Sequence, residues 1–343
     1  MKTLIQSMLL ALLVLVTVGV QSQEPLRVLF VGNSYTQVNN LPQMVANMAE
    51  SMDDTMEFRS STPGACTFEL HCHNQSMAMI CEGGWDYVIM QEQSQLPAFP
   101  MDSVEQYVFP YAKQLVDSVY ARNPDAETMF FMTWGRKNGD TEFGYPPMDT
   151  YEGMDSLLCA RYMQMGEDNA ASVCPVGRVW HYLRDHHSEI ELYQMDESHP
   201  SVAGSYAAAC AFYTMLFGRD PDSIRFDAGL GARQAYVIRS AAHAVVYDSI
   251  WKWKSPLPNA LYAEKPLSGV SVSPNPVDEV MTMHLPEGQS AEVILYDALG
   301  RKRWRRKVIG PSCALSMLGV SRGLYMLRVV TEESVGAIKV IKQ

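Results

Sequence analysis

Positive charge is in short supply in this chain. Its 343 residues carry 27 Lys and Arg against 38 Asp and Glu, a net charge of −11. So acidic a protein repels a phosphate backbone, which excludes nonspecific nucleic-acid binding. Zinc-finger Cys/His spacing, the phosphate-loop pattern Gly-x-x-x-x-Gly-Lys and the dinucleotide pattern Gly-x-Gly-x-x-Gly are all missing. Long apolar runs are confined to the start. After Met1-Lys2-Thr3, Leu4–Val20 is almost wholly apolar and Gln21–Pro25 is polar. That pattern reads as a secretory signal peptide over residues 1–22, too short an apolar run for a comfortable membrane span. No later stretch reads as a transmembrane helix. Cysteine is sparse and odd in number: Cys66, Cys72, Cys81, Cys159, Cys174, Cys210 and Cys313. At least one must be unpaired. Export permits disulfides, with Cys159–Cys174 the first pairing to test, while Cys210 in an Ala-rich run reads as a small buried hydrophobe.

What is present is a composition able to build a core, 47% hydrophobic. Apolar, β-rich runs at Leu26–Val31, Met56–Ser60, Tyr87–Gln91, Thr128–Thr133 and Ser172–Val176 alternate with helical patterns. Those patterns are Leu41–Met52, Thr67–Cys81, Val104–Arg122, Tyr151–Asn169, Val202–Phe217 and Ala232–Trp253. Alternation of this kind predicts a parallel sheet covered on both faces, a three-layer α/β/α domain over residues 23–253. Pro110 is expected to bend the Val104 helix near its start. A Pro-containing linker spans 254–268. Residues 269–343 then form short alternating runs punctuated by Gly, Pro, Asn and Asp, the pattern of a small antiparallel β-sandwich.

The stretch Val28-Leu29-Phe30-Val31-Gly32-Asn33-Ser34-Tyr35-Thr36 is an apolar strand ending in a tight turn, with a helix beyond. A serine there stands where α/β hydrolytic enzymes place a nucleophile. Far along the chain, Asp196-Glu197-Ser198-His199-Pro200-Ser201 leads into a helix. An Asp and a His three apart can share one side, the carboxylate holding the imidazole while the imidazole deprotonates a serine. Other candidates are weaker. His71-Cys72-His73 falls in a predicted helix, where alternate side chains diverge, which argues against a metal site. His181, His186 and His187 flank a helix end and read as polar surface, and Met154, Met163 and Met165 as core. Trp134, Arg136 and Tyr145-Pro146-Pro147 follow the fourth strand and are placed to border a cleft.

Gly32-Asn33-Ser34 followed by Asp196-x-x-His199-Pro200 resembles the SGNH (GDSL-like) hydrolases in residue type and chain order, with Asn33 in place of the usual Asp. The resemblance covers roughly Leu26 to Gly218. It implies catalytic roles for Ser34, Asp196 and His199, and an oxyanion hole from the N–H groups of Ser34 and Gly64. The family's Gly-x-Asn-Asp block is absent. In its place Met90-Gln91-Glu92-Gln93-Ser94-Gln95 resembles the Gln-type block of SGNH-like acetylesterases, which implies Gln91 or Gln93 as the side-chain donor.

The tail resembles a type IX secretion C-terminal sorting domain through Val272–Pro276, Val293–Arg301, Gly323–Val329 and Ile338–Lys342. That resemblance implies partnership with an outer-membrane secretion machinery and a secreted or cell-surface location. The tail holds ten Lys/Arg against seven Asp/Glu, a net of +3 that leaves −14 on the remainder. Most of this basicity is the run Arg301–Lys307, which reads either as a surface for an anionic partner or as a solvated hairpin. The expected function is a secreted serine esterase that works through an acyl-enzyme without metal or organic cofactor, with polysaccharide acetyl groups as its substrate. The alternative is a non-catalytic surface carbohydrate-binding protein on the same scaffold.

Overall fold

The computed structural model describes residues 24–255, 267, 269–297, 302–331 and 335–343. The expected signal peptide and most of the linker lie outside the described residues. Five strands, β1 (Leu26–Val31), β2 (Met56–Ser61), β3 (Tyr87–Met90), β4 (Glu127–Phe131) and β5 (Ser172–Cys174), form one parallel sheet. Its order is β2-β1-β3-β4-β5. Side chains alternate across a strand, so a sheet buried on both faces needs apolar residues at every position. In β1, Val28 and Phe30 enter one core and Leu29 and Val31 the other.

The helices are α1 (Ser34–Gln37), α2 (Leu41–Ser51), α3 (Phe68–Cys72), α4 (Gln75–Glu82), α5 (Met101–Tyr107), α6 (Phe109–Arg122), α7 (Tyr151–Asp168), α8 (Val176–His186), α9 (Val202–Phe217), α10 (Ala232–Ala242) and α11 (Ile250–Trp253). Helices α2, α8, α9 and α10 cover the Phe30 face, and α3, α4, α6 and α7 the Leu29 face. Helix α9 is buried almost throughout, because its alanines let three neighbouring helices approach it closely. The result is the three-layer α/β/α domain that the alternation predicts.

Several details differ from expectation. The Thr67–Cys81 helix is two, broken at Asn74, whose side chain accepts from the Ser76 N–H and caps α4. The Val104 helix breaks at Val108, and Pro110 occupies the first turn of α6, where no donor is needed. The fifth strand stops at Cys174, short of the expected Val176, and the chain turns directly into α8, whose end at His186 falls among the histidines read as flanking a helix end. All seven cysteines are free. Cys174 points into the Phe30-side core while Cys159 packs against the other, so the sheet separates the pair and the expected disulfide does not form.

After the linker come β6 (Ser271–Ser273), β7 (Val280–His284), β8 (Ser290–Asp297), β9 (Lys302–Ile309), β10 (Ser312–Ser316), β11 (Gly323–Thr331) and β12 (Val335–Lys342). They form antiparallel sheets of order β10-β7-β6 and β12-β11-β8-β9 around a core that includes Met281, Val293, Leu295, Leu315 and Leu327. β9 and β10 were not expected. Much of the basic run is an edge strand, where Lys and Arg also discourage further pairing.

Candidate active site

In the strand order, β1 lies between β2 and β3, so the chain leaves β1 in one direction and returns on its other side. At such a reversal the loops diverge beyond the strands' carboxyl ends and leave a crevice. Ser34 stands in that position, three residues past Val31, as the first residue of α1. Its N–H is one that a helix cannot satisfy internally.

The turn before it admits little variation. A Cβ on Gly32 would fall 2.6 Å from Thr36 Oγ1 and 2.8 Å from Gln91 Oε1. The Gly32 carbonyl accepts from His71 Nε2 at 3.0 Å, and His71 Nδ1 lies 2.6 Å from the Ser76 hydroxyl. A carbonyl can only accept, so Nε2 carries the hydrogen and Nδ1 accepts from Ser76. Burial drives the His71 pKa down to about 4, outweighing the bond to Gly32, and keeps the ring neutral. His71 is thus a structural prop, with both ring nitrogens occupied.

Asn33 joins three segments. Its carbonyl accepts from the Tyr35 N–H at 3.1 Å, and its amide donates to the Cys66 carbonyl at 3.1 Å and the Glu92 carbonyl at 3.5 Å. A carboxylate at this position could not donate, so the departure from Asp gives the turn two tethers of its own. The Cys66 tether ties the turn of Pro63, Gly64 and Ala65 to the segment that carries Ser34. Gly64 is exposed there, with nothing within 4 Å of the place a Cβ would take.

His199 comes from the loop before α9. Its Nε2 lies 2.9 Å from Ser34 Oγ, and its Nδ1 2.5 Å from Asp196 Oδ2. Asp196 Oδ1 accepts the backbone N–H groups of Ser198 at 3.1 Å and His199 at 3.0 Å. Partial burial opposes the charge on Asp196, but these bonds outweigh it and hold the carboxyl below its usual pKa. An anionic Asp196 fixes the imidazole hydrogen on Nδ1, which leaves Nε2 free to accept from the serine hydroxyl. The His199 side chain is 32% exposed, open enough for a substrate to reach.

The His199 loop is held from several sides. The Asn39 amide donates to the Pro200 carbonyl at 3.1 Å, the Ser201 carbonyl at 3.0 Å and Ser205 Oγ at 2.9 Å, which binds the Ser34 segment to the histidine segment. The Lys137 N–H donates to the Glu197 carbonyl at 2.9 Å, where Glu197 takes a left-handed φ of 58°. The Arg184 guanidinium supports the Lys137 carbonyl at 3.0 Å. Beneath the pair, the Tyr35 hydroxyl lies 2.6 Å from Ser198 Oγ, and its ring meets His199 edge-on at 5.4 Å. Tyr35 stacks on Trp134 at 4.7 Å, and Trp134 on Trp180 at 3.8 Å.

Of the expected site residues, Ser34, Asp196 and His199 are brought together. Gln91 is corrected. It is fully buried, its carbonyl accepts from the Asn33 N–H at 3.0 Å and Thr36 Oγ1 at 3.0 Å, and its amide donates to the Glu92 carbonyl. It braces the serine turn and has no face open to substrate. Gln93 is half-buried, and one amide hydrogen goes to Gln95 Oε1 at 2.7 Å. Trp134 is fully buried beneath the site and does not border the cleft. Arg136 lies on the loop after β4 and pairs with Asp140 at 2.9 Å.

Glu92 was not expected to matter. It is fully buried and accepts the N–H of Phe68 at 3.0 Å and of Gln93 at 2.6 Å, joining the loops after β2 and β3. Burial raises its pKa to about 8 against the lowering effect of those bonds, so it is mainly a neutral acid at pH 7. Asn39 and Tyr35 were also missed. Their partners lie more than 150 residues away, beyond any local signal.

Residues 271–343 match the family model of the secretion system C-terminal sorting domain. The structure is similar to a DUF4886 family protein from Bacteroides uniformis, 19% identical, with a TM-score of 0.57 over 65% of this chain and 95% of that one. A candidate SGNH hydrolase from Slackia heliotrinireducens is 25% identical, with a TM-score of 0.46 over 55% and 97%. An acetyl xylan esterase is 11% identical, with a TM-score of 0.43 over 56% and 100%. No curated protein matches the chain. The chain therefore carries a C-terminal sorting domain, and its parallel-sheet domain has the fold of the DUF4886 structure.

Proposed function

We propose that this chain is an exported serine hydrolase that cleaves carboxylic esters through an acyl-enzyme. The observation that carries this reading is the continuous path from Ser34 Oγ to His199 Nε2 at 2.9 Å and from His199 Nδ1 to Asp196 Oδ2 at 2.5 Å. Ser34 attacks the ester carbonyl as His199 takes its proton. His199 then protonates the leaving alcohol, and a water activated by the same imidazole hydrolyses the acyl-enzyme. Asp196 orients the imidazole and stabilises its charged form.

The oxyanion is assigned to the N–H groups of Ser34 and Gly64, with the remaining amide hydrogen of Gln93 as third donor. One such donor is worth roughly 3–4 kcal/mol. The sorting domain indicates export, to the cell surface or beyond. Acetyl groups on a polysaccharide are the substrate class we propose for an enzyme working there.

The test is hydrolysis of a chromogenic short-chain ester, with active-site titration by a fluorophosphonate. Ser34→Ala and His199→Ala are expected to lose at least 1000-fold in kcat/KM, by roughly the scale of a dismantled triad. Activity retained in both variants would refute the assignment. Glycan binding with no labelling of Ser34 would instead favour the carbohydrate-binding alternative.

A further inference from the structure

Strand β8 should present one face to the sandwich core and the other to solvent. Ala291, Val293 and Leu295 are in the core, as the alternation requires. Ile294 points the other way, yet it is only 1% exposed and lies outside that core. Its cross-strand neighbours are Arg328 on β11 and Arg305 on β9, so the three form a row on the outer face. Arg328 is 2% exposed, which is rare for an arginine without a partner.

Both arginines of this row reach the hydrolase domain. Arg328 Nη1 pairs with Asp125 Oδ1, and its Nη2 donates to the Pro124 carbonyl at 3.4 Å. Arg305 bridges Asp125 at 3.2 Å and Glu292 at 2.5 Å. Pro124 and Asp125 lie just before β4, at the amino ends of the strands, whereas Ser34 lies at the carboxyl ends.

We propose that this face is an intramolecular latch. The outer face of the four-stranded sheet is a docking surface for the hydrolase domain's own strand-start edge, and it holds the tail in place even when the connecting segment is cut. Ile294 and Arg328 are buried and Arg305 closes the row at its open edge, and with one acidic receptor for both arginines this is a specific fit. The basic run is divided by it: Arg305, though itself partly open to solvent, pairs with Asp125 and belongs to the latch, while the exposed Arg306 and Lys307 lie outside it.

The test uses the full chain with a protease site placed within residues 256–266. After cutting at low salt, both pieces are expected to co-elute in gel filtration. Asp125→Lys and, independently, Arg305→Glu are expected to weaken retention at least 10-fold. Adding Arg328→Glu to Asp125→Lys is expected to recover part of it. Cooperative thermal unfolding of each uncut variant confirms that it folds. Separation of the wild-type pieces on cutting, or retention unchanged in both folded single variants, would overturn the proposal. Neither outcome depends on ester hydrolysis.

Discussion

Acid should loosen this fold through one histidine. The His71 ring donates to the Gly32 carbonyl and accepts from Ser76 only while neutral. Its pKa lies near 4 in the folded protein, against 6.5 for an ordinary histidine. Between those values the unfolded chain binds a proton that the folded chain refuses, so stability falls as pH drops from about 6.5 to about 4. At about 1.4 kcal/mol per pH unit, the interval is worth about 3 kcal/mol, most of it lost by about pH 4.5. For a domain of this size that is roughly 5–10 °C in melting temperature. The assay is differential scanning calorimetry of wild type and His71→Gln at pH 7 and pH 4.5. The variant should be less stable at pH 7 and should lack the histidine's share of the fall on acidification. Parallel losses in the two proteins would refute a neutral buried His71. The added proton would enter at Nδ1, against the Ser76 hydroxyl, on the ring that holds the Gly32 carbonyl, so ester hydrolysis should decay through this group as pH falls toward about 4.

Glu92 has the opposite sign: its folded pKa of about 8 is raised above 4.5, so its contribution is full below pH 4.5 and is lost as pH rises to 8. Glu92→Gln should therefore gain stability relative to wild type at pH 9 compared with pH 5, measured by urea unfolding. Asn39→Ala removes three hydrogen bonds between the serine and histidine segments, and should lower kcat more than 10-fold with KM little changed. Tyr35→Phe leaves the buried Ser198 hydroxyl without its 2.6 Å partner, at a cost of about 1 kcal/mol by thermal melting. Gly32→Ala drives a methyl against Thr36 and Gln91, and should abolish ester hydrolysis before it abolishes folding, as followed by activity and circular dichroism.

The legible part of this protein is local. The apolar run of β1, the turn at Ser34 and the Asp196–His199 spacing each declare themselves within a few residues. The breaks at Asn74 and Val108 are less visible, because apolar periodicity continues through both. Val176 suits a strand as well as a helix, which hid the start of α8 until Pro175 is seen to end the strand. β9 was obscured for another reason: Lys302–Ile309 pairs along β8 through its backbone while its side chains are mostly charged, so no alternation marks it. Glutamine chemistry misled at Gln91. The residue type was right for a donor, and only the packing of Asn33 and Thr36 against its carbonyl shows that it serves as a brace.

Trp134 and Trp180 lie parallel within 5° at 3.8 Å, directly below the tyrosine that touches His199. Indoles so close and so aligned couple their electronic transitions. The protein thus contains an optical reporter beneath the serine and histidine, readable in near-ultraviolet circular dichroism without any label. Any ligand or proton that shifts the ring of Tyr35 changes the stacking of the first indole, and so the spectrum of the pair.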